Sequence, residues 1–146
     1  RTEKWWIGWR FYSAGLIRDL LEGGVHPDSH VGEKGSNLML VLMWYHPNEP
    51  SLTELALSKG AKPRLGKRGR RYFSDYLFQL RVDRQVHPES AVEIVRLLLD
   101  AGADINALNH SGNSLRIHFG RIDSAAARAV GELLRSRGAK LHPDAK

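Results

Sequence analysis

The sequence predicts an all-α fold, built as one domain from similar helix–turn–helix units. Three observations lead to this prediction. Four segments with apolar residues at helical spacing each end in a glycine, and further apolar stretches lie between them. No segment sustains the alternation of apolar and polar residues that a half-buried strand shows. The 146 residues suffice for a single domain with its own core.

The four segments show the same pattern of apolar residues when their sequences are aligned on the terminal glycines, which are Gly24, Gly60, Gly102 and Gly138. Successive glycines are 36, 42 and 36 residues apart. A helix often ends at a residue with positive φ, where glycine has no Cβ to clash. Each glycine is therefore predicted to end the outer helix of its unit. The units span approximately residues 1–34, 35–66, 67–110 and 111–146.

Serine residues mark the predicted starts of these outer helices. Ser51 and Ser90 each stand three residues before a glutamate, which is the capping-box pattern of a helix N-terminus. Ser13 is the predicted cap of the first unit, and Asp123 or Ser124 that of the last.

A shorter inner helix is expected in each unit. Residues 38–45, 72–80 and, more weakly, 115–119 are apolar nearly all round, as helices packed between neighbours are. Residues 5–12 complete the first unit. The outer helices, in contrast, are amphipathic, so they are expected to keep one face in solvent.

One stretch of the chain, residues 93–112, resembles the ankyrin repeat. The string GADIN at residues 102–106, with Gly112 further along, matches that family's pattern. The family unit is a β-turn followed by two helices, about 33 residues long. The family's T-P-L-H signature is absent here, and the longer glycine spacings imply insertions. The resemblance, which covers roughly residues 13–143, implies an ankyrin-like solenoid of about four units with long irregular loops, as a single domain over residues 1–146.

A basic segment, residues 59–71, accounts for the whole positive excess of a chain whose net charge is +6. No acidic residue occurs between Glu54 and Asp75, and the rest of the chain holds 15 of the 22 basic residues against 16 acidic ones. The seven cations of the segment are Lys59, Lys62, Arg64, Lys67, Arg68, Arg70 and Arg71.

Three interpretations of the basic segment remain open. It is a solvated loop that keeps the protein soluble, a contact for an acidic protein surface, or a contact for a nucleic-acid backbone. In proteins similar to this one, such loops and the inner helices form a concave binding face. The leading hypothesis is a protein-interaction module that binds an acidic protein through this face and the basic segment. Nucleic-acid binding through residues 59–71 is the alternative.

The predicted partner-binding residues combine basic and aromatic side chains; they are Lys62, Arg64, Lys67, Arg68, Arg70, Arg71, Tyr72, Trp5, Trp6 and Trp9. The three tryptophans have two interpretations. They are interface anchors, or they cover one end of the stack. A further hypothesis makes the chain the recognition part of a larger effector or inhibitor. The chain begins with arginine rather than methionine, which leaves room for native residues before it.

Enzyme signatures are missing from the sequence. It has no cysteine, no glycine-rich phosphate loop, no G-x-S-x-G and no H-E-x-x-H pattern. Histidine precedes proline four times, which turn geometry explains better than metal binding. The longest apolar run, residues 38–45, is far shorter than the roughly 20 residues of a membrane span. We expect a cytoplasmic, non-enzymatic protein with no cofactor, metal, small-molecule substrate or membrane contact.

Overall fold

The computed structural model describes residues 13–29, 37–63, 72–82, 85–105 and 124–139. Within these ranges the chain forms six α-helices and no β-strand, which confirms the all-α prediction for this part of the chain. The predicted inner helices at residues 5–12 and 115–119 lie outside the described residues. The helices are α1 (Ala14–Glu22), α2 (Leu38–Tyr45), α3 (Pro50–Ser58), α4 (Tyr72–Val82), α5 (Pro88–Asp100) and α6 (Ala125–Ser136).

Four of these helices, α1, α3, α5 and α6, end in the same way. The φ angles of the four aligned glycines are 101°, 101°, 103° and 82°, in chain order, so the prediction of positive φ is confirmed. After α1, the Val25 N–H donates to the Leu20 carbonyl at 3.0 Å and the Gly24 N–H donates to the Leu21 carbonyl at 3.2 Å. The equivalent two bonds follow α3, α5 and α6. This is the Schellman arrangement, which satisfies carbonyls that a helix end otherwise leaves unpaired.

Two of the predicted caps are confirmed. The Ser13 Oγ accepts a hydrogen bond from the Leu16 N–H at 3.1 Å, at the start of α1. The Ser124 Oγ accepts one from the Ala127 N–H at 3.0 Å, at the start of α6. Each serine satisfies an N–H group that lacks a partner within its own helix.

The capping-box prediction for Ser51 and Ser90 is wrong. Helix α3 begins at Pro50 and α5 begins at Pro88, so both serines lie inside the first turn rather than at the cap. Proline suits the first helical position, because its φ is already helical and it has no N–H to satisfy. The Ser51 Oγ instead accepts from the Arg18 guanidinium at 3.4 Å.

The helices form two rows of contacts. In one row α1 contacts α3, α3 contacts α5, and α5 contacts α6; in the other α2 contacts α4. Hydrogen bonds join the starts of helices α2 and α4 and also join their ends, so the two helices run in the same direction. The Asn37 Nδ2 donates to the Tyr72 hydroxyl at 2.7 Å, and the Gln79 Nε2 donates to the Trp44 carbonyl at 2.7 Å.

The core lies between the two rows. Helix α2 buries residues 38–43 without interruption, and α4 buries large side chains such as Tyr72, Phe73 and Tyr76. The helices of the other row bury a stripe each, for example Ile94, Val95 and Leu98 of α5. Helix α2 is thus apolar nearly all round, as predicted, and α1, α5 and α6 are amphipathic.

Thr53 of α3 is fully buried, and its hydroxyl has no hydrogen-bond partner among the described residues. Valine has nearly the same shape without the hydroxyl. We expect Thr53→Val to raise the free energy of unfolding by about 1 kcal/mol, since a buried polar group without a partner is costly. Urea denaturation measures this. Thr53→Ser keeps the hydroxyl and loses a methyl, so it should lower stability; a Thr53→Val variant less stable than wild type would contradict the expectation.

Gly102 and Gly131 form a matched pair for testing the helix ends. A Cβ added to either residue meets no atom within 4 Å, but Gly102 has φ +103° whereas Gly131 lies inside α6. We expect Gly102→Ala to lower the free energy of unfolding by about 1–2 kcal/mol through backbone strain. Gly131→Ala should raise it by roughly 0.5–1 kcal/mol, because alanine favours helix. Thermal melting of both variants tests this; shifts of the same sign would contradict it.

Candidate partner-binding site

The basic segment begins where α3 ends. Lys59 is the C-cap of α3, and Gly60 follows with φ +101°. Ala61 and Pro63 are buried, whereas the side chains of Lys59 and Lys62 are exposed. Two apolar residues thus hold this turn against the core, and two ammonium groups face solvent.

The remaining cations of the predicted site lie outside the described residues. This applies also to the three N-terminal tryptophans. The residues concerned are Arg64, Lys67, Arg68, Arg70, Arg71, Trp5, Trp6 and Trp9. Of the predicted partner-binding residues, the structure therefore places Lys62 and Tyr72.

Tyr72, the first residue of α4, lies in the core with 1% of its surface exposed. Its hydroxyl donates to the Asp28 Oδ1 at 2.5 Å and accepts from the Asn37 Nδ2 at 2.7 Å. Burial raises the pKa of Tyr72 above its ordinary value, and the bond to the Asp28 carboxylate raises it further. The ring thus packs inside the fold, and the hydroxyl is part of a network of hydrogen bonds with Asp28 and Asn37.

Asp28 lies at the centre of this network, in the loop that follows α1. Its Oδ1 accepts a hydrogen bond from the Tyr72 hydroxyl, and its Oδ2 accepts one from the Lys62 N–H at 3.0 Å. Its own N–H donates to the His26 Nδ1 at 3.1 Å. One side chain therefore connects the loop after α1, the turn after α3 and the start of α4.

A second group of hydrogen bonds joins the turn between α2 and α3 to the loop before α5. The Asn48 Nδ2 donates to the Gln85 carbonyl at 3.1 Å, and the Asn48 Oδ1 accepts from the His87 N–H at 2.7 Å. The Ser90 hydroxyl completes it by donating to the Asn48 carbonyl at 3.4 Å. His87 thus takes part in turn-to-turn packing through its backbone.

Two aromatic residues that the sequence analysis did not single out reach the surface at the end of α2. Tyr45 is 41% exposed and Trp44 is half-buried, and their rings meet edge to face with centroids 6.5 Å apart. Their position in the last turn was the one available signal, since neighbouring helices cover the middle of an inner helix more fully than its end. They add an aromatic contact surface to the inner row.

The described side chains do not converge as a metal site would. Across residues 13–29, 37–63, 72–82, 85–105 and 124–139, no three His, Cys, Asp or Glu side chains lie together in a way that could hold a metal ion. In the same ranges, no helix combines the length and the apolar character needed to cross a membrane.

Comparison with known proteins gives no family for this chain. No protein-family model matches it, and no curated protein matches it either.

The polar network around Tyr72 is expected to contribute measurably to stability. Tyr72→Phe removes the hydroxyl, so the Asp28 Oδ1 and the Asn37 Nδ2 each lose one hydrogen bond, and we expect the free energy of unfolding to fall by about 1–3 kcal/mol. Tyr45→Phe is the matched control, because Tyr45 is exposed, and it should change stability by less than about 0.5 kcal/mol. Guanidinium denaturation of both variants measures the difference; equal effects would contradict it.

The raised pKa of Tyr72 also predicts the sign of a pH effect. The unfolded chain ionises tyrosine near its ordinary pKa of about 10, while the folded chain keeps the Tyr72 proton. Its stabilising contribution is therefore complete below pH ~10 and declines as the pH rises further. The difference in melting temperature between wild type and Tyr72→Phe should narrow above that pH.

Proposed function

We propose that the chain is an ankyrin-like solenoid that binds an acidic protein through its basic segment and inner-helix face. The architecture is supported by the four identical helix ends and by the order in which the helices meet. Because each unit contacts its neighbours in chain order, such a stack presents a stiff, extended surface to a partner.

The observation that carries the binding proposal is the excess of positive charge in the sequence of the basic segment. Its two described lysines are exposed, and neither forms a salt bridge with a described acid. Two exposed cations elsewhere in the described part of the chain do form salt bridges: Arg96 pairs with Glu93, and Arg137 pairs with Asp100 at 2.6 Å. Seven cations without an acid favour encounter with an acidic surface.

The exposed aromatic surface of Trp44 and Tyr45 adds to the proposal. Aromatic side chains give large contact area at little loss of conformational freedom, which is why they often anchor interfaces. In this arrangement the charge of the basic segment attracts and orients the partner, and the exposed aromatic residues of the inner row make apolar contact with it. The lack of cysteine fits a reducing compartment such as the cytoplasm. A module of this kind also suits the recognition part of a larger effector or inhibitor.

An affinity capture with charge-reversed variants tests the proposal. The test variant carries Arg68→Glu, Arg70→Glu and Arg71→Glu. The control variant carries Arg96→Glu, Arg128→Glu and Arg135→Glu, which reverse the same number of exposed charges on α5 and α6. All baits are treated with nuclease, checked by circular dichroism, and compared by mass spectrometry and by affinity for the captured protein.

We expect one acidic protein to be retained by wild type and by the control, and to bind the test variant at least tenfold more weakly. Equal affinity for the test variant would remove the basic segment from the site. If no protein is retained, and a separate gel shift without nuclease shows nucleic-acid binding by wild type that weakens steeply as salt rises, the nucleic-acid alternative is favoured.

A further inference from the structure

Two serines in the sequence, Ser51 and Ser90, are followed three positions later by a glutamate, and no other serine or threonine is followed by an acid at that distance. Neither serine uses this pattern to cap a helix, because both lie inside the first turn of α3 or α5. Acid-directed protein kinases recognise the same pattern, since basic groups in their substrate groove pair with a carboxylate that follows the serine. The structure distinguishes the two serines as substrates for such an enzyme.

Ser51 is the accessible one of the two. Its side chain is exposed, and so are those of the two neighbouring acids, Glu49 and Glu54. Ser90, in contrast, is half-buried, and its hydroxyl donates to the Asn48 carbonyl at 3.4 Å. A phosphate ester on Ser90 would lose that hydrogen bond and place negative charge beside the carbonyl oxygen. The surroundings of Ser51 contain no bond of this kind among the described residues, so a phosphate there displaces nothing.

A guanidinium group already lies beside Ser51. The Arg18 Nη2 of α1 donates to the Ser51 Oγ at 3.4 Å, between residues 33 positions apart in the sequence. In the described part of the chain, no carboxylate forms a salt bridge with Arg18. Arginine pairs with phosphate through two parallel hydrogen bonds, which are stronger than a bond to a neutral hydroxyl. A phosphate on Ser51 would therefore meet a cation that is available to bind it.

We propose that Ser51 is a phosphorylation site, and that its phosphate pairs with Arg18 to strengthen the contact between α1 and α3. In the transfer, the Ser51 Oγ forms a bond to the γ-phosphorus of ATP while the bond from that phosphorus to ADP breaks, and the hydroxyl proton passes to the catalytic base of the kinase. Ser51 gains three acceptor oxygens and a charge of about −1.5 to −2 at neutral pH. Because α1 and α3 belong to successive units, the modification acts where two units meet. The proposal does not depend on what the stack binds.

Two opposing charges act on the phosphate. Arg18 attracts it, whereas Glu49 and Glu54, close to Ser51 in the sequence, repel it. The repulsion is the same with or without Arg18. The effect of phosphorylation in wild type, compared with its effect in a variant that lacks the guanidinium, therefore isolates the pairing of phosphate with Arg18.

The first experiment determines where the phosphate enters. The folded chain is incubated with ATP and a casein kinase that requires an acid three positions after the serine, and phosphopeptides are located by mass spectrometry. We expect Ser51 to be phosphorylated about tenfold faster than Ser90, because a half-buried serine must first be exposed by local opening. Incorporation should fall to the Ser90 level in Ser51→Ala and stay near wild type in the matched control Ser90→Ala. Equal rates at the two serines, or no incorporation at Ser51, would overturn the proposal.

The second experiment measures the effect on the fold. Phosphorylated and unmodified forms are separated by anion exchange, and their melting temperatures are compared. We expect phosphorylation to raise the melting temperature of wild type by about 3–6 °C, and to raise that of the control Arg96→Gln equally, because Arg96 lies on α5. In Arg18→Gln the increase should disappear or become a decrease. An equal increase in wild type and Arg18→Gln would overturn the pairing with Arg18, and a lower melting temperature of phosphorylated wild type would overturn the strengthened contact between α1 and α3.

Discussion

Helix α2 has no polar face, and the rest of the described structure is arranged around that constraint. Residues 38–43 are buried in succession, so this helix is stable only when neighbours cover it on every side. Helices α3 and α4 both contact it. Its few polar requirements are met at its two ends, where Asn37 caps its start and Gln79 reaches the Trp44 carbonyl near its end. The end that is least covered brings Tyr45 to the surface.

The outer helices follow from the need to cover this inner row. Each buries a stripe of apolar residues and keeps charged residues in solvent, as α5 does with Ile94 inside and Arg96 outside. Each then stops at a glycine with positive φ and the same pair of hydrogen bonds. This stop satisfies carbonyl groups at the end of each outer helix that would otherwise lack a partner.

Polar side chains in the turns join one part of the stack to the next. Asp28 reaches Lys62 and Tyr72, and Asn48 reaches Gln85 and His87, each across more than thirty residues of sequence. Both side chains offer several hydrogen-bonding positions within a short reach, which suits aspartate and asparagine to turns that must contact a neighbour. The described residues on either side of residues 64–71 are thus joined through the Asp28 carboxylate, which bonds to Lys62 and to Tyr72.

Local chemistry in the sequence was enough to predict the helices at 38–45 and 72–80, the cap at Ser13 and the positive φ of the four glycines, and it narrowed the last cap to Asp123 or Ser124. Those features depend on neighbours within one or two turns of chain. The starts of α3 and α5 were missed because proline at the first helical position competes locally with a serine cap. Of the candidate site, the sequence supplied the charge and its position along the chain. Only the tertiary structure decided that Tyr72 faces the core and that Asp28 joins it to Lys62. The partners of a hydrogen bond 44 residues apart are determined by how the helices stack, and no local pattern encodes that.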